Sequence, residues 1–181
     1  GDGRMKRIAI VIGHNAGAQG AVRCTDGRTE YDWNSDLAKM IEAHDPAHIK
    51  VFRRKPGGGY STEIDRVYAE VDAWGADVSV ELHFNGSTNP AANGCLMLSS
   101  GTSGSRALAA NVQKACVAAL GNKDRGVRFV GRGDRGRRSL WAGRAPAILT
   151  EPYFGSNKAE CEAADARKAA LAKAIYDGAR A

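Results

Sequence analysis

No apolar run in this sequence approaches the roughly 20 residues that cross a bilayer as a helix, so membrane insertion is not expected. Ile8 to Ile12 is too short for the apolar core of a secretory leader and no small-residue cleavage site follows it; it reads as a strand. Closely spaced cysteines are missing as well. Cys24, Cys95, Cys116 and Cys161 are scattered, which excludes a C-x-x-C knuckle or redox pair. At 181 residues the chain buries enough core to fold without disulfides. Cys116 and Cys161 sit beside alanines in helical patterns and read as buried thiols, which predicts folding in a reducing compartment; Cys24 falls in a loop. There is no internal repeat and no linker, so one domain is expected over residues 5–181. Gly1 to Arg4 reads as an added remnant ahead of a natural start at Met5.

What is present is a 43% hydrophobic, 25% charged composition, that of an ordinary globular protein. The net charge of +6 favours polyanionic partners, either nucleic acid or an anionic cell envelope, and does not choose between them.

Strand and helix signals alternate along the chain. "RIAIVIG", "HIKVFRR", "ADVSVELHF", "GCLMLSS", "GVRFVG" and "PAILTEPY" read as strands. "SDLAKMIEAH" spaces Leu37, Met40 and Ile41 as one helical face, and "TEIDRVYAEVDAWG" does the same with Ile64, Val67, Tyr68 and Val71 before a glycine stop. "SRALAANVQKACVAALG" is a long helix, and "KAECEAADARKAALAKAIYDGARA" reads as one terminal helix docked on a sheet. This alternation predicts an α/β fold: a single domain with a twisted, mostly parallel β-sheet flanked by α-helices.

Three segments carry candidate ligands. The first strand ends in "IGHNAGAQG", placing His14 past its carboxyl end; "VELHFN" does the same for His83; Glu30 stands near the start of the first helix. Two imidazoles and a carboxylate suit a hydrolytic Zn²⁺ site with a position left for water. The last strand ends in "LTEPYF", adding Glu151 as a residue to take and return a proton. Taken singly, each has a plainer reading: a structural or exposed histidine, or a first-turn carboxylate favoured by the helix dipole. Glu81 and His83 are two apart in a strand and so share a face. His44 and His48 flank a "DPA" turn and read as surface residues.

Taken in order, "IAIVIGHNAGAQGA", "TEYDWNSDLA", the segment from "VFRRKPGGGY" to "VELHFNG", "GVRFVGR" and "PAILTEPYFGSN" resemble the zinc-dependent N-acetylmuramoyl-L-alanine amidases of the amidase-3 family. That family shows a Gly-His after the first strand, a Glu shortly before a helical Asn, a Ser/Glu-x-His-x-Asn strand end, and a Glu followed by Phe-x-Ser-Asn. The resemblance implies His14, Glu30 and His83 as ligands of one Zn²⁺ per chain and Glu151 as the catalytic glutamate. The implied substrate is peptidoglycan, cut between N-acetylmuramic acid and the L-alanine of the stem peptide. Asn34 and Asn85 would orient substrate or ligands, or serve packing and capping. Glu81 stands where many relatives carry a small residue: it either tunes His83 as a second carboxylate near the metal, or is a partly exposed carboxylate paired with an arginine. The segment from Cys95 to Pro146 leaves no room for the inhibitory helix of regulated members. That points to a free-standing, phage endolysin-like catalytic domain, expected to be a monomer, made in the cytoplasm without a signal peptide and reaching the wall after membrane permeabilisation.

The rival reading rests on "DRGVRFVGRGDRGRRSLWAGR", residues 124–144, whose arginines interleave with Phe129 and Trp141 and would suit a nucleic-acid-binding surface. No nucleic-acid motif accompanies it, and a basic loop facing substrate or envelope is the favoured reading. "PGGGY" lacks the Lys-Ser/Thr of a phosphate-binding loop and reads as a turn.

Overall fold

The apolar alternation of the first strand sorts its side chains between two helical layers. In the computed structural model, which describes residues 4–134 and 137–181, β1 (Ile8–Asn15) sends Ile8, Ile10 and Ile12 to one face and Ala9 and Val11 to the other. The first face packs under α1 (Glu30–Glu42), α3 (Ser103–Leu120) and α6 (Lys168–Arg180); the second packs under α2 (Tyr60–Trp74) through Ile64, Val67, Tyr68 and Val71. Truncating a fully buried residue such as Ile10 to alanine would cost about 2–5 kcal/mol, since the cavity left behind relaxes only in part.

The remaining strands are β2 (Ile49–Arg54), β3 (Val78–Leu82), β4 (Cys95–Ser99), β5 (Asp124–Phe129) and β6 (Ala147–Glu151), in the spatial order β2-β1-β3-β6-β4-β5. β2, β1, β3 and β6 run parallel, β4 pairs antiparallel with β6, and β5 is parallel to β4. The sheet is mostly parallel, as expected. β3 is buried along its whole length, as a strand covered on both faces must be.

Two expectations change. The alanine-rich terminal segment is two helices, α5 (Lys158–Ala166) and α6, because Arg167 leaves helical geometry (φ −115°, ψ 22°) and its guanidinium donates to Leu120 O at the end of α3 (3.0 Å). The Arg/Gly-rich stretch also contains a short helix, α4 (Ser139–Ala142), and Leu140 joins Leu96, Leu98, Val130 and Leu149 in a small apolar cluster. No helix among the described residues is long and apolar enough to cross a membrane. All four cysteines are free; Cys95, Cys116 and Cys161 are buried, and Cys24 is exposed.

Candidate metal centre and active site

β1, β3 and β6 are neighbours running in one direction, so their carboxyl ends share one sheet edge, the position where open α/β sheets build sites. His14 lies at the end of β1, His83 directly after β3, and Glu151 is the last residue of β6. Glu30 comes from the first turn of α1, which starts on Thr29, whose hydroxyl caps Asp32 N. The connecting loop folds back so that Glu30 N donates to Ala21 O (3.0 Å).

The two imidazoles converge on the Glu30 carboxylate: His14 Nε2 is 2.9 Å from Oε2 and His83 Nδ1 is 3.2 Å from Oε1. The same two oxygens accept from backbone, Oε2 from Ala21 N (3.0 Å) and Oε1 from Phe84 N (3.1 Å). One ligating atom each from His14, Glu30 and His83 therefore lies within 4.8 Å of the others. His14 holds a left-handed backbone (φ 69°), alone among the described non-glycine residues, a strain of the kind that persists where the surroundings fix a functional side chain. Gly20 closes the cradle: a Cβ there would lie 2.6 Å from His14 Nε2 and 2.7 Å from Glu30 Oε2.

Electrostatics follow from this packing. Burial alone would push the Glu30 carboxyl up, but the hydrogen bonds from His14 and His83 outweigh it and hold the group well below the usual carboxylate range. Burial likewise opposes charge on His83, yet Glu30 and Glu81 carry it up to about 10. A carboxylate held ionised between two imidazoles is a nitrogen and oxygen donor set suited to a divalent cation such as Zn²⁺.

Glu151 faces the same cavity, of about 1010 Å³, which His14, Glu30 and His83 also line. It is half-buried; its backbone closes the β6 strand against Leu96, while its carboxylate makes no hydrogen bond or ion pair to another side chain among the described residues. Burial raises its pKa, opposed by the positive field of His83 and Arg137. Such a carboxyl is suited to accept and return a proton.

The other expected residues divide. Glu81 is 2% exposed and bonded to His83 Nε2 (2.6 Å) and to the Tyr68 hydroxyl (3.1 Å), so the reading of a partly exposed carboxylate paired with an arginine is overturned. Asn85 lines the cavity, and its backbone braces the site loop through Tyr153 O and Gly155 N (2.8 Å each). Asn34 is buried in α1 outside the cavity wall, and neither end of its amide finds a hydrogen-bond partner. His44 stacks on Tyr176 and His48 pairs with Asp45, both away from the cluster.

The cavity also holds residues that the sequence reading passed over. Asn15 donates to Glu63 (2.7 Å), Glu63 approaches Arg54 (3.6 Å), and Arg54 stacks on Tyr60. The available signal was polar residues at the carboxyl ends of β1 and β2. In the 124–144 stretch, Arg125 lies over Phe154, Arg132 over Trp141, Arg138 pairs with Asp65 and Arg137 lines the cavity; Arg135 and Gly136 lie outside the described residues.

The family model described as N-acetylmuramoyl-L-alanine amidase matches residues 8–181. Among solved structures, the chain is similar to the catalytic domain of CwlV, an N-acetylmuramoyl-L-alanine amidase from Bacillus (Paenibacillus) polymyxa var. colistinus, at 25% identity over 95% of each chain with a TM-score of 0.78. The N-acetylmuramoyl-L-alanine amidase from Clostridium difficile 630 shares the fold at 24% identity, covering 97% of this chain and 95% of its own, with a TM-score of 0.79. So does the catalytic domain of the CD27L endolysin targeting Clostridia difficile, at 23% identity over 97% of each chain and a TM-score of 0.80. No curated protein matches the sequence. Nothing in these comparisons supports the nucleic-acid reading. With the match running from the first strand to the last residue, the chain belongs to the N-acetylmuramoyl-L-alanine amidase family.

Proposed function

We propose that this chain hydrolyses the amide between the lactyl group of N-acetylmuramic acid and the L-alanine of the peptidoglycan stem, with His14, Glu30 and His83 holding one Zn²⁺ and Glu151 as general base and acid. The observation that carries the reading is the convergence of two imidazoles on the anchored Glu30 carboxylate, in a cavity that Glu151 also lines. When bound, zinc would supply Lewis acidity to the scissile carbonyl and to the attacking water.

The chain's own residues do the rest. Glu151 removes one proton from the water as it attacks the carbonyl carbon, then gives that proton to the leaving alanine nitrogen as the C–N bond breaks. Its raised pKa serves both halves of that transfer. Phe84 N and Ala21 N keep Glu30 from rotating, so both imidazoles keep their place around it. Arg54 and Arg137, on the wall of the same cavity, suit a substrate carrying carboxylates. We read the chain as a monomer acting on the cell wall.

Digestion of purified walls, with products read by mass spectrometry, tests the reading. The expected products are free stem peptides beginning in L-alanine, lost with a chelator and restored by Zn²⁺. Stems still attached to sugar would sink it.

A further inference from the structure

Glu81 breaks the local rule of its strand. β3 is Val-Ser-Val-Glu-Leu, buried throughout, and a carboxylate in such a strand is costly unless its charge is met. Here it is met twice. Oε2 lies 2.6 Å from His83 Nε2, and Oε1 accepts from the Tyr68 hydroxyl of α2 at 3.1 Å. The second bond matters because it leaves the carboxylate no freedom to turn away from the imidazole.

The His83 ring is also fixed from other sides. Its Nδ1 faces Glu30 Oε1 at 3.2 Å, so the ring is gripped at both nitrogens by carboxylates on opposite sides. Turning the ring over would put carbons where both nitrogens now stand and lose both contacts. Beneath it, Gly13 leaves no room: a Cβ there would lie 2.4 Å from His83 Cε1 and 2.6 Å from Nε2. Backbone, Glu30 and Glu81 together define one orientation.

We propose that Glu81 is the positioning residue for His83. By accepting from Nε2–H it holds the imidazole in one orientation and reserves Nδ1, which faces Glu30 Oε1, for the cation. Tyr68 in turn holds Glu81. A ligand histidine whose second nitrogen donates to a carboxylate is a more basic and better aimed ligand, and loss of such a partner commonly costs 10–100-fold in metal affinity. The chain thus carries a Tyr68–Glu81–His83 relay behind its metal centre, built across α2 and β3. This inference rests on the zinc reading above and adds a role for a residue outside the proposed zinc ligands.

The test measures Zn²⁺ affinity by chelator competition for wild type, Glu81→Ser, Glu81→Gln and Tyr68→Phe, with melting curves as the folding control. Folded Glu81→Ser should bind Zn²⁺ about 10–100-fold more weakly. Glu81→Gln keeps an acceptor oxygen and should restore much of the loss, and Tyr68→Phe should show a smaller one. Nitrogen-15 spectra of the zinc-loaded protein give a readout that general loosening would not move: His83 should keep a proton on Nε2 in wild type. Unchanged affinity in a folded Glu81→Ser, or coordination of Zn²⁺ through His83 Nε2, would overturn the proposal. If Glu81→Ser does not fold, the Glu81→Gln and Tyr68→Phe affinities and the wild-type spectrum decide it. Wild-type protein that holds no Zn²⁺ would instead defeat the zinc reading on which the inference rests.

Discussion

The Arg23 guanidinium, 1% exposed, spans 142 residues of sequence to grip both oxygens of Asp165 at 2.7 and 2.9 Å. The same group donates to Cys161 O (3.0 Å) and lies over the rings of Trp33 and Tyr153. It ties the loop that carries Glu30 into the site to α5, so a contact remote from the chemistry sets where a candidate ligand stands. Replacing Arg23 with methionine should destabilise the fold by about 1–3 kcal/mol, less than a fully buried pair because Asp165 is half open to solvent. Thermal melting beside zinc titration would check it, and an unchanged melting temperature would remove the anchoring role.

That pair also predicts a pH dependence. Burial would raise the Asp165 pKa, but its hydrogen bonds to Arg23 and Trp33 lower it below the ordinary value. A carboxyl depressed in the folded state stabilises fully above its unfolded value of about 3.9, and that contribution fades as pH falls through the folded pKa. Denaturation of wild type and Asp165→Asn should therefore differ most at neutral pH and converge in acid. A gap that widened in acid would contradict the sign.

Glu151→Gln keeps the shape of the side chain and removes its ability to accept a proton. Turnover should fall at least about 10²–10⁴-fold while Zn²⁺ content stays near that of wild type. Stem-peptide release measured beside metal analysis separates the two, and wild-type turnover would show that the base lies elsewhere.

Gly20→Ala attacks the cradle from its wall. Its φ of 84° disfavours any Cβ, and the added methyl would meet His14 and Glu30 inside normal contact distance. Zn²⁺ uptake should drop sharply in a protein whose circular dichroism is unaltered. Full uptake would mean that the loop yields easily and the cradle is soft.

Metal removal should also be visible in stability. A cation that binds only the folded chain adds RT ln(1 + [L]/Kd), about 2.7 kcal/mol at one hundred times Kd. The melting temperature should rise with Zn²⁺ in wild type and respond less in His14→Ala. Equal responses in both would place the bound metal somewhere other than this cluster.

Much of this architecture was legible along the chain because it is written in local pattern. β-Branched runs and glycine stops marked the strands and helices, and His14, His83 and Glu151 could be put at strand ends from position alone. The alanine-rich tail misled for the opposite reason. Each residue favours helix, and the break at Arg167 falls where its side chain bonds Leu120 O, 47 residues earlier, a contact absent from any local pattern.

The sequence by itself determined the α/β alternation, the absence of a spanning helix and which residue types stood at the ends of strands, since each follows from short-range periodicity and chemistry. Tertiary structure alone decided that β1, β3 and β6 lie side by side, that β4 runs against β6, that Glu30 is brought between two imidazoles, and that Glu81 is buried between Tyr68 and His83. Those outcomes depend on strand order, on loop closure and on which carboxylate finds which donor across the fold. Such choices are made when distant segments compete for the same buried space, and no local pattern records the winner.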